Sequence, residues 1–103
     1  MPQNFFNSFD HINLYVSSLE QSVKWYQELF DFSLVEKGEA EEGPWAILRV
    51  RDSMLCLYEH HQFTKLQEGK FQHLGFRVND EEELKNRIAK YKPKVLYGGA
   101  YRY

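Results

Sequence analysis

Two segments of the chain share one alternating pattern of apolar and polar residues. Asp10 to Ser17 and Gln72 to Asn79 both read polar, His, apolar, any residue, apolar, any residue, Val. Such alternation is typical of a strand with one buried face. The predicted buried rows are Ile12, Leu14 and Val16 in the first strand and Leu74, Phe76 and Val78 in the second. The histidines at equivalent places in the two copies are His11 and His73.

A capped helix is predicted after each of these strands. Ser17 or Ser18 caps the first, because Ser18 and Gln21 have the spacing of a capping box. Asn79 or Asp80 caps the second, and three glutamates then suit the positive end of the helix dipole. Pro93 ends it. The apolar stripes are Leu19, Val23, Tyr26 and Phe30 in the first helix and Leu84, Ile88 and Tyr91 in the second.

Three further strands are predicted between the two copies. The acidic stretch Gly38 to Gly43 is predicted to be a loop, and the turn of a hairpin is expected at Arg51-Asp52. Gln62 to Lys70 is polar and is predicted to be a surface link. The predicted strands are Phe32 to Lys37, Trp45 to Val50 and Met54 to His60. After the second helix, a short run from Lys94 to Tyr97 leads to a Gly98-Gly99 turn.

Length and charge narrow the class of protein. A chain of 103 residues fits one domain, and 13 Lys+Arg against 15 Asp+Glu give a formal net charge of -2. This balance favours neither nucleic acid nor an anionic membrane as a partner. Cys56 is the only cysteine, so no internal disulfide is possible. The first residues match no secretory signal and no apolar run is long enough to span a membrane, so we expect a cytoplasmic protein.

The paired histidines are the leading candidates for chemistry. One strand histidine alone is more often satisfied by its neighbours than bound to a metal. Two at matching repeat positions, His11 and His73, would instead converge if the modules pair about a pseudo-twofold axis. Imidazole with carboxylate suits zinc, iron, nickel or manganese. The pattern therefore predicts the beginning of a divalent metal site.

Other residues have a structural and a functional interpretation side by side. Aromatic residues make up 17% of the chain, and Tyr15, Trp45 and Tyr58 would either pack in the core or line an apolar pocket for a small ligand. Glu59, beside His60 and His61, is either a solvated strand end or a general base or substitute ligand. No serine lies in a nucleophile-elbow context, which argues against a hydrolase.

The first module resembles the glyoxalase, bleomycin-resistance and extradiol-dioxygenase superfamily, also called the vicinal oxygen chelate proteins. The similar segments are FDHINLYVSSLEQSVKWYQELFDFSL in the first module and FQHLGFRV in the second. The strand SMLCLYEHH is similar to one in fosfomycin-resistance thiol transferases. The resemblance implies an α+β fold of paired β-α-β-β-β modules within one domain, residues 1–103. The first module covers about 8–61 and a partial second module about 71–103.

The resemblance also implies roles for individual residues. His11 matches the family's first-strand metal ligand, and His73 matches the ligand that opens the second module. Glyoxalase-like members have a glutamate ligand where this chain has Cys56, whereas the fosfomycin-type strand has no ligand there. A buried small residue is the simpler interpretation of Cys56.

Family members continue into two further strands, the last of which carries a glutamate ligand. The sequence ends at Tyr103, so we expect an incomplete second module and open sheet edges. The third ligand would come from a missing segment, a second chain or Glu59. Members of the family commonly form their cavity across an interface between two modules. Together with the open sheet edges, this resemblance predicts a homodimer.

Two functions follow from the resemblance. The first is a divalent-metal-dependent enzyme of the lyase, isomerase, thiol transferase or dioxygenase type, acting on a small oxygen-rich substrate. The second is a non-catalytic protein of the bleomycin-resistance type that binds a drug-like or aromatic molecule in a cup lined by Tyr15, Trp45 and Tyr58.

Overall fold

A computed structural model of the chain describes residues 5–60 and 74–93. These residues form a mixed α+β fold with a four-stranded sheet and two helices, which confirms the predicted fold class. The elements in chain order are β1 (Ile12–Val16), α1 (Leu19–Phe30), β2 (Ser33–Ala40), β3 (Gly43–Val50), β4 (Ser53–Glu59) and α2 (Glu81–Tyr91).

The first module has the predicted β-α-β-β-β order. Its strands lie in the order β1-β4-β3-β2, with β1 parallel to β4 and the other pairs antiparallel. The hairpin between β3 and β4 turns at Arg51 and Asp52, as predicted, with Arg51 in the left-handed region at φ 54°. The parallel pairing of β1 with β4 is possible because α1 and two more strands separate them along the chain.

Both helices begin at residues that their sequences predict. The hydroxyl of Ser18 accepts a hydrogen bond from the Gln21 N–H at 3.3 Å, and Oδ1 of Asp80 accepts one from the Glu83 N–H at 3.0 Å. Each side chain satisfies a backbone donor that the first turn of a helix leaves unpaired. Lys92 then ends α2 in the left-handed conformation at φ 59°, immediately before Pro93.

The core lies between α1 and one face of the sheet. Leu48 and Leu57 are fully buried at its centre. The predicted stripe of α1 packs here: Leu19 is part of the core cluster, with Val23, Tyr26 and Phe30 against it. Leu14 and Val16 of β1 also contact the core, whereas Ile12, at the start of the strand, is 37% exposed.

The predicted loop from Gly38 to Gly43 was wrong. β2 continues to Ala40, β3 begins at Gly43, and only Glu41 and Glu42 form the turn. The acidic, glycine-containing composition suggested a loop, but backbone pairing with β3 makes this segment a strand. Acidic residues are tolerated there because β2 is an edge strand with mostly exposed side chains. Gly38 belongs in the strand because the Trp45 indole lies where a Cβ would project.

The predicted second strand, Gln72 to Asn79, is not confirmed. Its described part, residues 74–79, has no strand pairing. Alternation of side chains is not sufficient, since a strand needs a neighbour for its backbone groups. The segment is anchored instead by Phe76, whose ring lies 4.7 Å from that of Phe30 in an edge-to-face contact and 6.1 Å from that of Phe32.

Arg87 connects α2 to the end of α1. Its guanidinium donates to the Leu29 carbonyl at 3.2 Å, and pairs with Asp31 at 3.0 Å and with Glu83, one turn earlier in α2, at 2.9 Å. Hydrogen bonds to Glu83 and Asp31 raise the Arg87 pKa above its ordinary value. The described part of the second module thus contacts the first through Arg87, through the Phe76 ring and through Leu74, which packs against the core cluster.

Several predicted segments lie outside the described residues. They are the link from Gln62 to Lys70, the run from Lys94 to Tyr97 and the Gly98-Gly99 turn. Neither helix in the described part of the chain combines the length and the apolar character that crossing a membrane requires.

Candidate ligand-binding site

Tyr15 and Tyr58 lie side by side on the sheet face opposite α1. The pairing register places Tyr15 of β1 next to Tyr58 of β4, which in turn pairs with Trp45 of β3. Residues directly opposite one another in a sheet project from the same face. The three aromatic residues predicted to line a cup therefore belong to one row, and alternation puts their core-facing neighbours on the other face.

A pocket of about 350 Å³ lies at one end of this face. It is bounded by β1, by the end of β4 and by the turn between β2 and β3. The described lining residues are Asn13, Leu14, Tyr15, Ala40, Glu42, Gly43, Tyr58 and Glu59. Its volume falls within the range of about 300–1,000 Å³ that is usual for sites that hold small organic molecules.

The rings at this pocket are partly open to solvent. Tyr15 is 44% exposed, and its ring makes an edge-to-face contact with His60 at a centroid distance of 5.2 Å. Tyr58 is half-buried. An aromatic ring with a phenolic hydroxyl offers both apolar area and a hydrogen-bonding group. The pair can thus contact a ring of a ligand and one of its polar groups.

The Trp45 indole lies over β2, on the side of the aromatic row away from Tyr15. It covers Gly38 on β2, so closely that a Cβ at Gly38 would collide with the six-membered ring. Trp45 is not among the described residues that line the pocket. Its contact with a ligand stays a prediction, whereas Tyr15 and Tyr58 are brought together at the pocket.

The Glu59 side chain stabilises the N-terminus of α1. Its Oε1 accepts a 2.7 Å hydrogen bond from the backbone N–H of Leu19, the first residue of α1. This is the positive end of the helix dipole, where a carboxylate is stabilised. The residue also borders the pocket. The catalytic role predicted for Glu59 stays a prediction, and one of its oxygens is engaged with α1.

His11 lies just before β1 and pairs with its neighbour. Its Nδ1 is 2.9 Å from Oδ2 of Asp10, and the imidazole side chain is 46% exposed. When a carboxylate accepts the Nδ1 hydrogen, Nε2 carries the lone pair that binds a metal or accepts a proton. The assigned partner, His73, lies outside the described residues, so the convergence of the two imidazoles stays a prediction.

Cys56 has the properties of a buried packing residue. It is 7% exposed and pairs in register with Asn13, on the face of the sheet that carries Tyr58. Burial raises the pKa of its thiol, and the negative charge of Asp10 raises it further. A protonated thiol is a poor nucleophile and a poor metal ligand. The simpler interpretation of this residue thus has physical support.

The described residues alone do not hold a metal ion. Within residues 5–60 and 74–93, no group of three His, Cys, Asp or Glu side chains is arranged to bind one. His11 has the Nε2 that a ligand needs, but Asp10 is used by Nδ1 and Glu59 by Leu19. The described residues thus offer one candidate metal ligand, His11, rather than a complete ligand set.

Sequence reasoning missed five residues of the pocket, which are Asn13, Leu14, Ala40, Glu42 and Gly43. Asn13 was detectable, because it alternates with Tyr15 along the polar face of β1. Glu42 and Gly43 were assigned to a loop, and only the position of the β2–β3 turn brings them beside Tyr58. No local signal predicts that contact.

Solved structures with the same fold come from several functional types. A glyoxylase/bleomycin resistance protein/dioxygenase domain from Frankia sp. EAN1pec is 23% identical, with a TM-score of 0.70 over 84% of this chain and 75% of the other. TnmS3, an antibiotic binding protein from Streptomyces sp. CB03234, is 20% identical, with a TM-score of 0.62 over 84% of this chain and 72% of the other.

A third structure contains a metal ion. It is a variant of the fosfomycin resistance protein FosX from Listeria monocytogenes, complexed with Mn(II) and 1S,2S-dihydroxypropylphosphonic acid. It is 19% identical, with a TM-score of 0.66 over 91% of this chain and 79% of the other. At these identities the three structures show a shared fold. No significant match was found among curated proteins.

The family model of the Glyoxalase/Bleomycin resistance protein/Dioxygenase superfamily matches residues 8–96. That range includes all six helices and strands of the described chain. The sequence resemblance is thereby confirmed, and the chain belongs to this superfamily.

Proposed function

We propose that the chain binds a small organic molecule with an aromatic or apolar ring in the pocket between Tyr15 and Tyr58. The observation that carries this proposal is the pocket itself, about 350 Å³, with two tyrosines and Asn13 in its lining. The rings supply apolar contact area, and the hydroxyl and amide groups fix the orientation of polar ligand atoms. TnmS3 supports it as a protein of similar fold that binds an antibiotic.

A panel of small aromatic compounds tests this function by thermal shift and NMR titration of the full chain. A ligand of the native state raises the melting temperature in proportion to its occupancy. Replacing Tyr58 or Tyr15 by Phe should weaken hits that accept or donate a hydrogen bond by about threefold to tenfold. Tyr91→Phe makes the same chemical change on α2 and should leave every affinity unchanged.

The outcomes separate clearly. Hits that lose affinity in the pocket variants alone support the proposal. Equal losses in Tyr58→Phe and Tyr91→Phe would show that the pocket is not the binding site, and a panel without a single saturable hit would contradict the function.

The His11–Asp10 pair favours a second function, a metal-dependent enzyme. In this function His11 and His73 would bind Zn, Ni, Mn or Fe, and a third ligand would come from Glu59, another segment or a second chain. When bound, such an ion would supply Lewis-acid chemistry, polarising the oxygens of an oxygen-rich substrate. When His11 donates its Nδ1 hydrogen to the Asp10 carboxylate, Nε2 is the ring atom left to bind the ion. FosX supports it as a protein of similar fold in complex with Mn(II).

Metal content of untagged protein tests the second function. His11→Ala and His73→Ala should each remove most of the bound divalent ion. His60→Ala, which removes the ring beside Tyr15, is the matched control and should retain it. Equal metal content in all four proteins would contradict the assignment of His11 and His73.

We also propose that two copies associate and that the protein is cytoplasmic. In the sheet that the described residues form, β1 is an edge strand, and the rings of Phe5, Phe6 and Phe9 are exposed. Both features support association, because exposed edges and apolar patches favour pairing. The thiol of Cys56, free and buried, suits a reducing compartment. Sedimentation at working concentration should give twice the mass of one chain, and the mass of a single chain would contradict dimerisation.

A further inference from the structure

We propose that Ala40 sets the size of the ligand and that the pocket takes a fused two-ring system in preference to a single ring. This inference rests on the proposed function and specifies the ligand class of the same site. It follows from the small residues that form one wall of the pocket and from the distance between that wall and the tyrosines.

The wall is the last residue pair of the β2–β3 ladder. Ala40 pairs with Gly43 across the two-residue turn, and both residues line the pocket. Gly43 lies two residues before Trp45 in β3, so strand alternation places the pair on the face that carries Trp45 and Tyr58. A methyl group and a hydrogen atom therefore stand where larger side chains would fill the space.

Further along β2 the same face is filled. Gly38 pairs with Trp45, and the indole occupies the position that a Cβ at Gly38 would take. Gly38 is half-buried there, whereas Ala40, two residues nearer the turn, is exposed. The space above β2 thus opens at Ala40.

Within this pair, only Ala40 can change the size of the pocket without disturbing the backbone. Gly43 has φ 148°, and a Cβ there would collide with the carbonyl oxygen of Glu59. Ala40 has no positive φ and lies on the edge strand β2. The side chain at position 40 is therefore the one that determines how far a ligand extends over β2.

The order of the strands sets the length of ligand that reaches this wall. Tyr58 lies on β4 and Ala40 on β2, with β3 between them. Two strand spacings separate β4 from β2 laterally by about 10 Å. A fused two-ring system extends further from the tyrosines toward Ala40 than a single ring, and it buries more apolar area against the wall.

Two probes with the same polar group test the preference on the full chain by NMR titration: benzyl alcohol and 2-naphthalenemethanol. We expect the two-ring probe to bind at least about threefold more tightly, because it buries more apolar area. Ala40→Leu should remove this advantage, and Ala40→Gly, which leaves the space open, should preserve it. Ala89→Leu makes the same chemical change at an exposed position of α2 and should also preserve it.

A melting curve of each variant shows whether it is folded. Ala40→Val narrows the same wall by less than Ala40→Leu, so it should reduce the two-ring advantage in part. It decides the question if Ala40→Leu does not fold.

The possible results are distinguishable. If benzyl alcohol shifts the signals of Asn13 and Tyr58 and the two-ring probe binds no more tightly, the size preference is wrong while the proposed function stands. If folded Ala40→Leu keeps the advantage, or if Ala89→Leu loses it equally, Ala40 does not set the ligand size. If neither probe shifts those signals, both the preference and the binding site are contradicted.

Discussion

The backbone N–H of Leu19 donates a 2.7 Å hydrogen bond to Oε1 of Glu59, a residue 40 positions further along the chain. Leu19 begins α1 and Glu59 ends β4, so this bond fixes the helix start against the strand that carries Tyr58. A part-buried, charge-assisted bond to a backbone donor is among the stronger single contacts in a small domain. It stabilises the core and the edge of the pocket together.

Replacing Glu59 with Ala should lower the free energy of unfolding by about 1–2 kcal/mol, because the Leu19 N–H loses its partner at a helix N-terminus. Glu59→Gln retains an acceptor oxygen and should cost less. Urea unfolding measures both. Glu39→Ala, at an exposed position on β2, is the control and should change stability little. A loss at Glu59 no larger than that at Glu39 would contradict a structural role for the bond.

Arg87→Ala should loosen α2 from the end of α1, since the change removes the donor to the Leu29 carbonyl and to Asp31. We expect faster amide hydrogen exchange throughout α2 and a lower melting temperature. Lys85→Ala removes a charge from an exposed position of the same helix and should leave exchange unchanged. If exchange in α2 is the same in both variants, Arg87 does not hold the helix in place.

Gly43→Ala should destabilise the protein by roughly 1–3 kcal/mol, because Gly43 has φ 148° and a Cβ there would collide with the Glu59 carbonyl oxygen. Gly75 offers the matched comparison, since a Cβ at that position meets nothing within 4 Å. Thermal unfolding of the two alanine variants should therefore differ clearly. Equal melting temperatures would mean that the β2–β3 turn tolerates a side chain near the pocket.

Cys56 should react slowly with iodoacetamide in the folded protein. Burial and the Asp10 carboxylate both raise the thiol pKa, so the reactive thiolate forms only at higher pH than in an unfolded chain. Asp10→Asn should shift the pH profile of alkylation downward, while Asp52→Asn, in the exposed turn, should not. A folded-state profile centred at the ordinary thiol pKa of about 8.5 would contradict this account.

The same raised pKa makes stability depend on pH in a defined direction. Below the ordinary thiol pKa, both states hold the proton and Cys56 makes no difference. As the pH rises above it, the unfolded state loses the proton first, so the free energy of unfolding falls until the native thiol also ionises. The fall should be smaller in Cys56→Ala across the same pH range, and identical curves would contradict the shift.

The features that the sequence predicted correctly depend on neighbours along the chain. Ser18 and Asp80 cap their helices by accepting hydrogen bonds from backbone N–H groups three residues further along. The hairpin turns at Arg51-Asp52 within one continuous segment. Local hydrogen bonds and side-chain periodicity suffice for such features. The aromatic row was predictable only as a set of residues, since the register between β1, β4 and β3 sets its geometry.

The features that sequence analysis missed depend on contacts between residues that are far apart along the chain. Gly38 resembles a loop residue until Trp45 is known to lie over it, and Glu59 resembles a solvated strand end until Leu19 is known to lie beside it. Phe76 shows strand-like alternation, yet in the described segment it contacts Phe30 of α1 without strand pairing. No local pattern records which surface a side chain will meet.

The central claim is that the face carrying Tyr15 and Tyr58 binds a small molecule, and chemical-shift mapping tests it most directly. Titration of isotope-labelled protein with the tightest-binding compound of the aromatic panel should shift the backbone amide signals of Asn13, Gly43 and Tyr58 along one saturable curve. The signals of α2 should stay in place. Shifts confined to α2, or shifts that never saturate, would contradict binding at this pocket.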